Sequence, residues 1–251
     1  MRPNWKKAGV GVLVAVFWIG VWQLLSLLVG QELLLPSPMQ VLARLWELMG
    51  TADFWKAAGW SLGRVVLGFA AAVAAGCVLA VLTARFAVLR TLFAPLLHIV
   101  RAAPVASFII LALVWIRTGF LPAFISFLMV LPMVWANVEQ GIRQTDRGLL
   151  EMAKVYRLGG WKTFWRVRVP SVMPYFLAAC TTGLGFAWKS GIAAEVICRP
   201  SDSVGNYLQE AKLYLETPSV FAWTVTVVAL SVLLEQALLA VARRYGRRYN
   251  L

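Results

Sequence analysis

Apolar positions in this chain gather into six long runs separated by short polar stretches. Soluble domains instead show apolar stripes of period two or 3.6. The runs cover about residues 8–29, 59–83, 91–116, 120–138, 174–197 and 218–242, and each approaches the roughly 20 residues that a helix needs to cross a bilayer. The pattern predicts an all-α integral membrane protein with about six transmembrane helices and little chain left for a soluble domain.

The longest polar interruption, residues 139–173, is the most informative. It carries seven Lys/Arg against three acids, too polar to cross a bilayer, and its sign places it on the cytoplasmic side. Leu149, Met152 and Tyr156 fall on one helical face, Gly159-Gly160 interrupts the run, and Trp161, Phe164 and Trp165 then recur at helical spacing. Two short amphipathic helices around a glycine hinge predict a docking element for a soluble partner; a plain solvated basic loop is the alternative.

Composition agrees. The chain is 61% hydrophobic with a mean hydropathy of +0.75, a surplus that calls for lipid. The net charge of +13 could suggest nucleic acid, but the basic residues flank apolar runs, which is the positive-inside signature. Sixteen of the 24 Lys/Arg fall in the N-terminal segment, the Arg85/Arg90 turn, residues 139–173 and the C-terminal tail. Both termini are therefore expected inside. Cys77, Cys180 and Cys198 show no CxxC spacing, so neither a disulfide framework nor a metal site is indicated, and no cofactor is expected. The apolar run from Ala8 to Val29 is too long for a signal-peptide core and is expected to be a retained first span.

Residues 30–58 are expected outside. Ser37-Pro38 reads as an N-cap followed by proline in the first helical turn, and Val41, Leu42, Leu45 and Leu48 oppose Gln40, Arg44 and Glu47. This predicts a short helix along the outer membrane surface, as a lid or spacer. Prolines inside runs three and four (Pro95, Pro104, Pro122 and Pro132) make those helices candidates for pore lining, with ordinary packing kinks as the alternative.

Intramembrane charges are costly and mark either partners or a polar pathway. Arg101 lies ten residues into the third run, about 15 Å deep at the helical rise. It is close to His98 in sequence. Arg101 and Lys189 are each expected either to pair structurally or to line a path. Glu195, near the outer end of the fifth run, is expected to snorkel at the interface, and Glu235 to be structural. A single histidine without a neighbouring acid argues against an intramembrane enzyme, so no catalytic residue is assigned.

Glu151-Met152-Ala153 followed by Val167-Arg168-Val169-Pro170 resembles the EAA loop of permease subunits from binding-protein-dependent ABC importers. Leu35-Pro36-Ser37-Pro38, Ser61-Leu62-Gly63-Arg64 with Gly68-Phe69, and Ala187-Trp188 with Ala194-Glu195 resemble the nitrate/sulfonate/taurine branch. Together these motifs span roughly residues 33–240. The resemblance implies a type I ABC importer permease fold, a single transmembrane domain over 1–251 with an outer loop at 30–58 and a cytoplasmic coupling loop at 139–173. It implies ATPase contacts through Glu151, Met152, Ala153, Tyr156, Arg157, Gly159, Gly160 and Trp161, and pathway or gate roles for Arg101, Pro104, Lys189 and Glu195, the last as a marker of the outer gate. Implied partners are cytoplasmic ATPase subunits, an extracytoplasmic substrate-binding protein and a second copy of the permease in the cell membrane. The chain has no G-x-x-x-x-G-K-[ST] phosphate loop, so ATP hydrolysis is expected from a separate subunit.

Three departures stand out. Met152 replaces an alanine, the stretch after Pro104 lacks a second proline, and Arg157 occupies the position of the family's turning glycine, so that Gly159-Gly160 is expected to turn the chain instead. An alternative is the transmembrane coupling subunit of a vitamin importer with a membrane-embedded binding component, whose Ala-Arg-Gly signatures are absent. Members of the branch carry sulfonates, nitrate, bicarbonate or vitamin precursors, and the residues do not choose among them.

Overall fold

The computed structural model describes residues 5–246. All regular structure among them is helical: α1 (Trp5–Val29), α2 (Pro38–Met49), α3 (Ala52–Arg85), α4 (Ala87–Ala102), α5 (Val105–Ala112), α6 (Leu121–Arg143), α7 (Arg147–Val155), α8 (Gly160–Thr163), a π-helical turn (Phe164–Arg168), α9 (Val169–Cys198), α10 (Val204–Leu213) and α11 (Thr217–Gly246). Five of these segments are long and apolar enough to span a membrane, and the bent pair α4–α5 makes six. The outermost basic residues behind the expected side of the termini (Arg2, Arg247 and Arg248) lie outside the described residues.

Helices α3, α6 and α9 form the core. Between helices in lipid there is no hydrophobic driving force, so close backbone approach through small residues does the work. Gly68, Ala72, Gly76 and Ala80 recur every four residues on the buried face of α3, and Ala179, Gly183, Ala187 and Gly191 do the same on α9. A Cβ built on Gly76 would lie 2.9 Å from Val134 of α6, and one on Gly191 would lie 2.6 Å from Val65 of α3. Polar groups in this core are satisfied across helices: Ser126 Oγ donates to the Ala187 carbonyl at 2.9 Å, Trp135 Nε1 to Thr83 Oγ1 at 2.8 Å, and Trp188 Nε1 to the Val227 carbonyl at 3.1 Å. Pro122 and Pro132 are buried in α6, so the fourth run packs at the centre of the chain's own core instead of offering a free lining face.

The third run is not one straight span. Its halves α4 and α5 meet at 105° across Ala103-Pro104. Pro104 supplies no N–H to continue the ladder, and it biases the preceding residue away from helix. Ala103 accordingly sits at φ −79°, ψ 141°. Helix α4 buries none of its residues within the chain.

The second span is longer than expected. Helix α3 begins at Ala52 with Thr51 as its N-cap and runs 34 residues, about 51 Å at 1.5 Å per residue, well beyond a hydrocarbon core of about 30 Å. Its first turns therefore project past the membrane. There α2 lies beside it, started by a Ser37–Gln40 capping box and tied to α11 by Arg44 Nε donating to Ser219 Oγ at 2.8 Å. Val41 is buried while Leu42 points outward. The polar stretch 198–217 contains α10, capped by Ser203 and roofing the core from the α2 side.

Candidate functional site

At the membrane face carrying residues 139–173, the chain builds two short helices. Asp146 caps α7, its carboxylate accepting from the Gly148 N–H at 2.7 Å, so Glu151 in mid-helix is exposed and does not serve as the cap. Met152 and Tyr156 are exposed on the same element, as are Trp161, Phe164 and Trp165 beyond the turn. The last three pack on one another with centroid separations of 5.5–6.3 Å, Trp161 stacked on Phe164 and both meeting Trp165 edge to face. Tyr156 and Trp161 each retain more than 70% exposure. Ala153 differs from these neighbours in facing the chain interior at 1% exposure. It offers no surface; its small side chain lets α7 seat against the rest of the chain.

The turn between the two helices is made by Arg157. Its φ of 50° is left-handed, its N–H donates to the Lys154 carbonyl, and the Leu158 N–H donates back to the Ala153 carbonyl at 2.9 Å. This is a Schellman closure with arginine where glycine is strongly preferred. Gly159-Gly160 does not turn the chain: Gly159 has φ −59° and ψ 153° and caps α8. A non-glycine residue in this region carries a strain of about 1 kcal/mol. Arg157→Gly should therefore raise the thermal midpoint of the purified protein slightly, by about 2–4 °C. An unchanged or lowered midpoint would mean that the arginine side chain offsets its own backbone strain.

Val167-Arg168-Val169-Pro170 forms the π turn and the start of α9. Pro170 lacks the N–H that an α-helical turn would use, and the Val169 N–H reaches back five residues to the Phe164 carbonyl. The widened turn joins α8 to α9 without breaking the helix, so displacement of α8 passes directly into a core span.

At the opposite end, Glu195 sits at 0% exposure, which corrects the expectation of a snorkelling carboxylate. Three groups on two elements fix it. Ser61 Oγ of α3 donates to Oε2 at 2.7 Å, the Gly205 N–H of α10 donates to the same oxygen at 3.2 Å, and Arg64 of α3 pairs with Oε1 at 3.3 Å. Arg64 also donates to the carbonyls of Ser201 and Asp202, and Ser61 Oγ accepts from the Val204 N–H. Cβ of Glu195 would lie 2.4 Å from a Cβ on Gly205, so only glycine lets α10 come this close. Sequence reasoning placed Ser61–Arg64 and Glu195 in separate motifs, and folding makes them one latch. Just above it, Tyr207 stacks on Trp223 with centroids 5.2 Å apart. Burial first, then the carboxylates of Asp53, Asp202 and Glu210, push its phenol pKa up, so it stays neutral.

Arg101 and Lys189 form no ion pair among the described residues. Arg101 donates to a backbone carbonyl, that of Pro132, at 2.8 Å. Lys189 has no carboxylate partner among the described residues. It lines a cavity of about 340 Å³ between α9 and α11 together with Thr181, Thr182, Ser231 and Glu235. At the face carrying residues 139–173 Glu139, another residue sequence reasoning passed over, bridges Arg143 at 3.0 Å and Arg90 of α4 at 3.4 Å.

The chain as a whole has counterparts among known proteins. Residues 72–247 match the family described as binding-protein-dependent transport system inner membrane component. The chain belongs to this family. A probable ABC transporter permease protein of Brucella melitensis is 31% identical over 244 residues, covering 96% of this chain and 98% of that protein. The taurine transport system permease protein TauC of Escherichia coli is 27% identical over 94% of this chain and 86% of its own length. The bicarbonate transport system permease protein CmpB of Synechocystis is 26% identical over 84% and 80%. The chain is thus a multi-pass membrane permease of a binding-protein-dependent ABC importer, of the nitrate/sulfonate/taurine branch and with the type I permease fold. The vitamin-importer alternative is not favoured.

Proposed function

We propose that this permease carries a small anionic solute of the sulfonate, taurine or bicarbonate kind across the cell membrane. An extracytoplasmic binding protein delivers the solute, and a separate cytoplasmic ATPase supplies the energy; a vitamin precursor is the second substrate class. Two copies of the chain form the pathway. The exposed, broken α4–α5 pair, with Pro104 at its bend and Arg101 near it, supports a role for this element where the copies meet. The basic flanks support an orientation with both termini and residues 139–173 in the cytoplasm, and with residues 30–58 and α10 outside.

The observation that carries this reading is the exposed face of Met152, Tyr156 and Trp161, set on helices that lead without interruption into α9. Large aromatic and Met side chains are the usual anchors of an interface, and surrounding arginines steer toward an acidic rim. Glu151, Arg157, Gly159 and Gly160 shape and border that surface, and Ala153 holds it in place. Trp161→Ala should weaken ATPase binding by about 2 kcal/mol, near thirtyfold in Kd, as for a central hot spot. The thermal midpoint of the permease should stay unchanged, because the side chain is exposed. Wild-type ATPase binding by a Tyr156→Ala/Trp161→Ala double variant would remove this face from the interface.

Lys189 supports an anion path, since no carboxylate among the described residues pairs with it and hydroxyls line its cavity beside Glu235. Lys189→Met should leave the complex assembled and its basal ATPase rate normal. Binding-protein-dependent uptake should fall about tenfold, equivalent to some 1.4 kcal/mol of lost attraction. Dissociation of the complex in detergent would instead mark Lys189 as half of an ion pair between copies.

A further inference from the structure

A second and larger cavity, of about 650 Å³, opens between α3, the α6–α7 turn and the start of α9. Its lining changes character along its length. Arg85 and Arg168 stand at the membrane face that carries the coupling loop, while Cys77, Val81, Val172 and Phe176 continue inward. Cys77 and Phe176 each lie eight residues from the arginine on their own helix, about 12 Å deeper at the helical rise. Neither Arg85 nor Arg168 has a carboxylate partner among the described residues. Arg85 instead lies over the Phe86 ring, 5.7 Å from its centroid.

We propose that this groove binds one anionic phospholipid, with its phosphate between Arg85 and Arg168 and an acyl chain along Val81, Cys77 and Phe176. The order of groups in the groove follows the order of groups in a lipid, charged at the membrane face and apolar toward the bilayer centre. A guanidinium pair matches phosphate in charge and geometry. A free inorganic anion would use the arginines but leave the apolar length empty. The placement gives the lipid a consequence, because the groove also touches Leu150 of α7 and Phe164 of the π turn. A bound chain would fill the space behind the coupling helices and stiffen their connection to α9.

The test is native mass spectrometry of the intact permease taken from bilayers containing phosphatidylglycerol and phosphatidylcholine. The wild type should retain one phosphatidylglycerol per chain, and millimolar inorganic phosphate should not displace it. Arg85→Gln/Arg168→Gln should lower retention about thirtyfold, the effect of losing two interfacial cations. Val81→Trp should also lose the lipid with both arginines in place. A second measurement needs no change in the groove. In a Cys180→Ala/Cys198→Ala background, alkylation of Cys77 should slow when phosphatidylglycerol is added and not when phosphatidylcholine is. Displacement by phosphate would make this an inorganic-anion site and overturn the lipid assignment. Equal retention of both lipids, or unchanged Cys77 alkylation, would overturn it as well.

Discussion

Glu195→Ala is expected to be among the most destabilising single substitutions in this permease, lowering its thermal midpoint by about 10 °C. The carboxylate is fully buried, and Arg64, which pairs with it, is only 13% exposed along its side chain. Removing one member of a buried pair strands the other, at a cost of about 3–5 kcal/mol, and for a chain of this length each kcal/mol moves the midpoint by about 2–4 °C. Ser61 Oγ and the Gly205 N–H lose an acceptor in the same step. Arg64 keeps the carbonyls of Ser201 and Asp202, which softens the loss without neutralising the charge. Arg64→Ala should be similarly damaging, since it leaves the carboxylate buried with only neutral donors. The double variant should be much less destabilised than the sum of the two singles, because the residues act as a unit. Thermal unfolding of the three purified variants measures this directly. Additive losses would mean that the two side chains stabilise different parts of the latch.

The latch shows why some of this molecule could be read from its residues and some could not. Local signals were sufficient for α2, where Ser37, Pro38 and Gln40 start a helix by capping chemistry that involves only neighbours. They were sufficient for the apolar spans as well, because the length of an apolar run is a local property. The environment of Glu195 is not local. Ser61, Arg64 and Gly205 lie far away in sequence or beyond a turn, and a carboxylate near the end of a span looks interfacial until its partners are placed. Helix α10 was missed for a related reason. Its short amphipathic segment is weaker than the spans around it, although Ser203 followed by Asn206 was an available capping signal.

The two breaks in the ladder illustrate the same limit. Proline at 104 was visible as a perturbation, but whether a proline bends a helix or only kinks it depends on what supports the freed backbone. Pro132 is held inside a packed helix, whereas Pro104 lies on an exposed element and separates two helices by 105°. Arg157 carried no local sign that it would adopt φ 50°. The paired glycines two residues later were the better turn formers on propensity alone. The position of the α7 terminus decided otherwise, because Ala153 is pinned against the permease and the Schellman bond from Leu158 closes on its carbonyl.

Gly68→Ala should fail to give a stable permease, although alanine is the better helix former by about 1 kcal/mol. A Cβ at this position would lie 2.1 Å from the carbonyl oxygen of Ala123 and 3.0 Å from the Ser126 Cβ. The first of these is backbone, so no rotamer change relieves the overlap and α3 and α6 must separate. Separation loosens the stripe of small residues from Gly68 to Ala80 on which α6 rests. It also disturbs Ser126, whose hydroxyl bonds the Ala187 carbonyl of α9, so a single methyl group strains all three core helices. Overpacking of this kind costs about 3 kcal/mol at the upper end of its usual range, and here it adds to lost packing at neighbouring positions. Gly63, five residues earlier on the same helix, has open space around it, so Gly63→Ala should be neutral or stabilising by up to about 1 kcal/mol. Comparing the two variants by monodispersity and thermal midpoint separates steric contact from helix propensity. Equal behaviour would show that α3 and α6 do not approach as closely as their glycines allow.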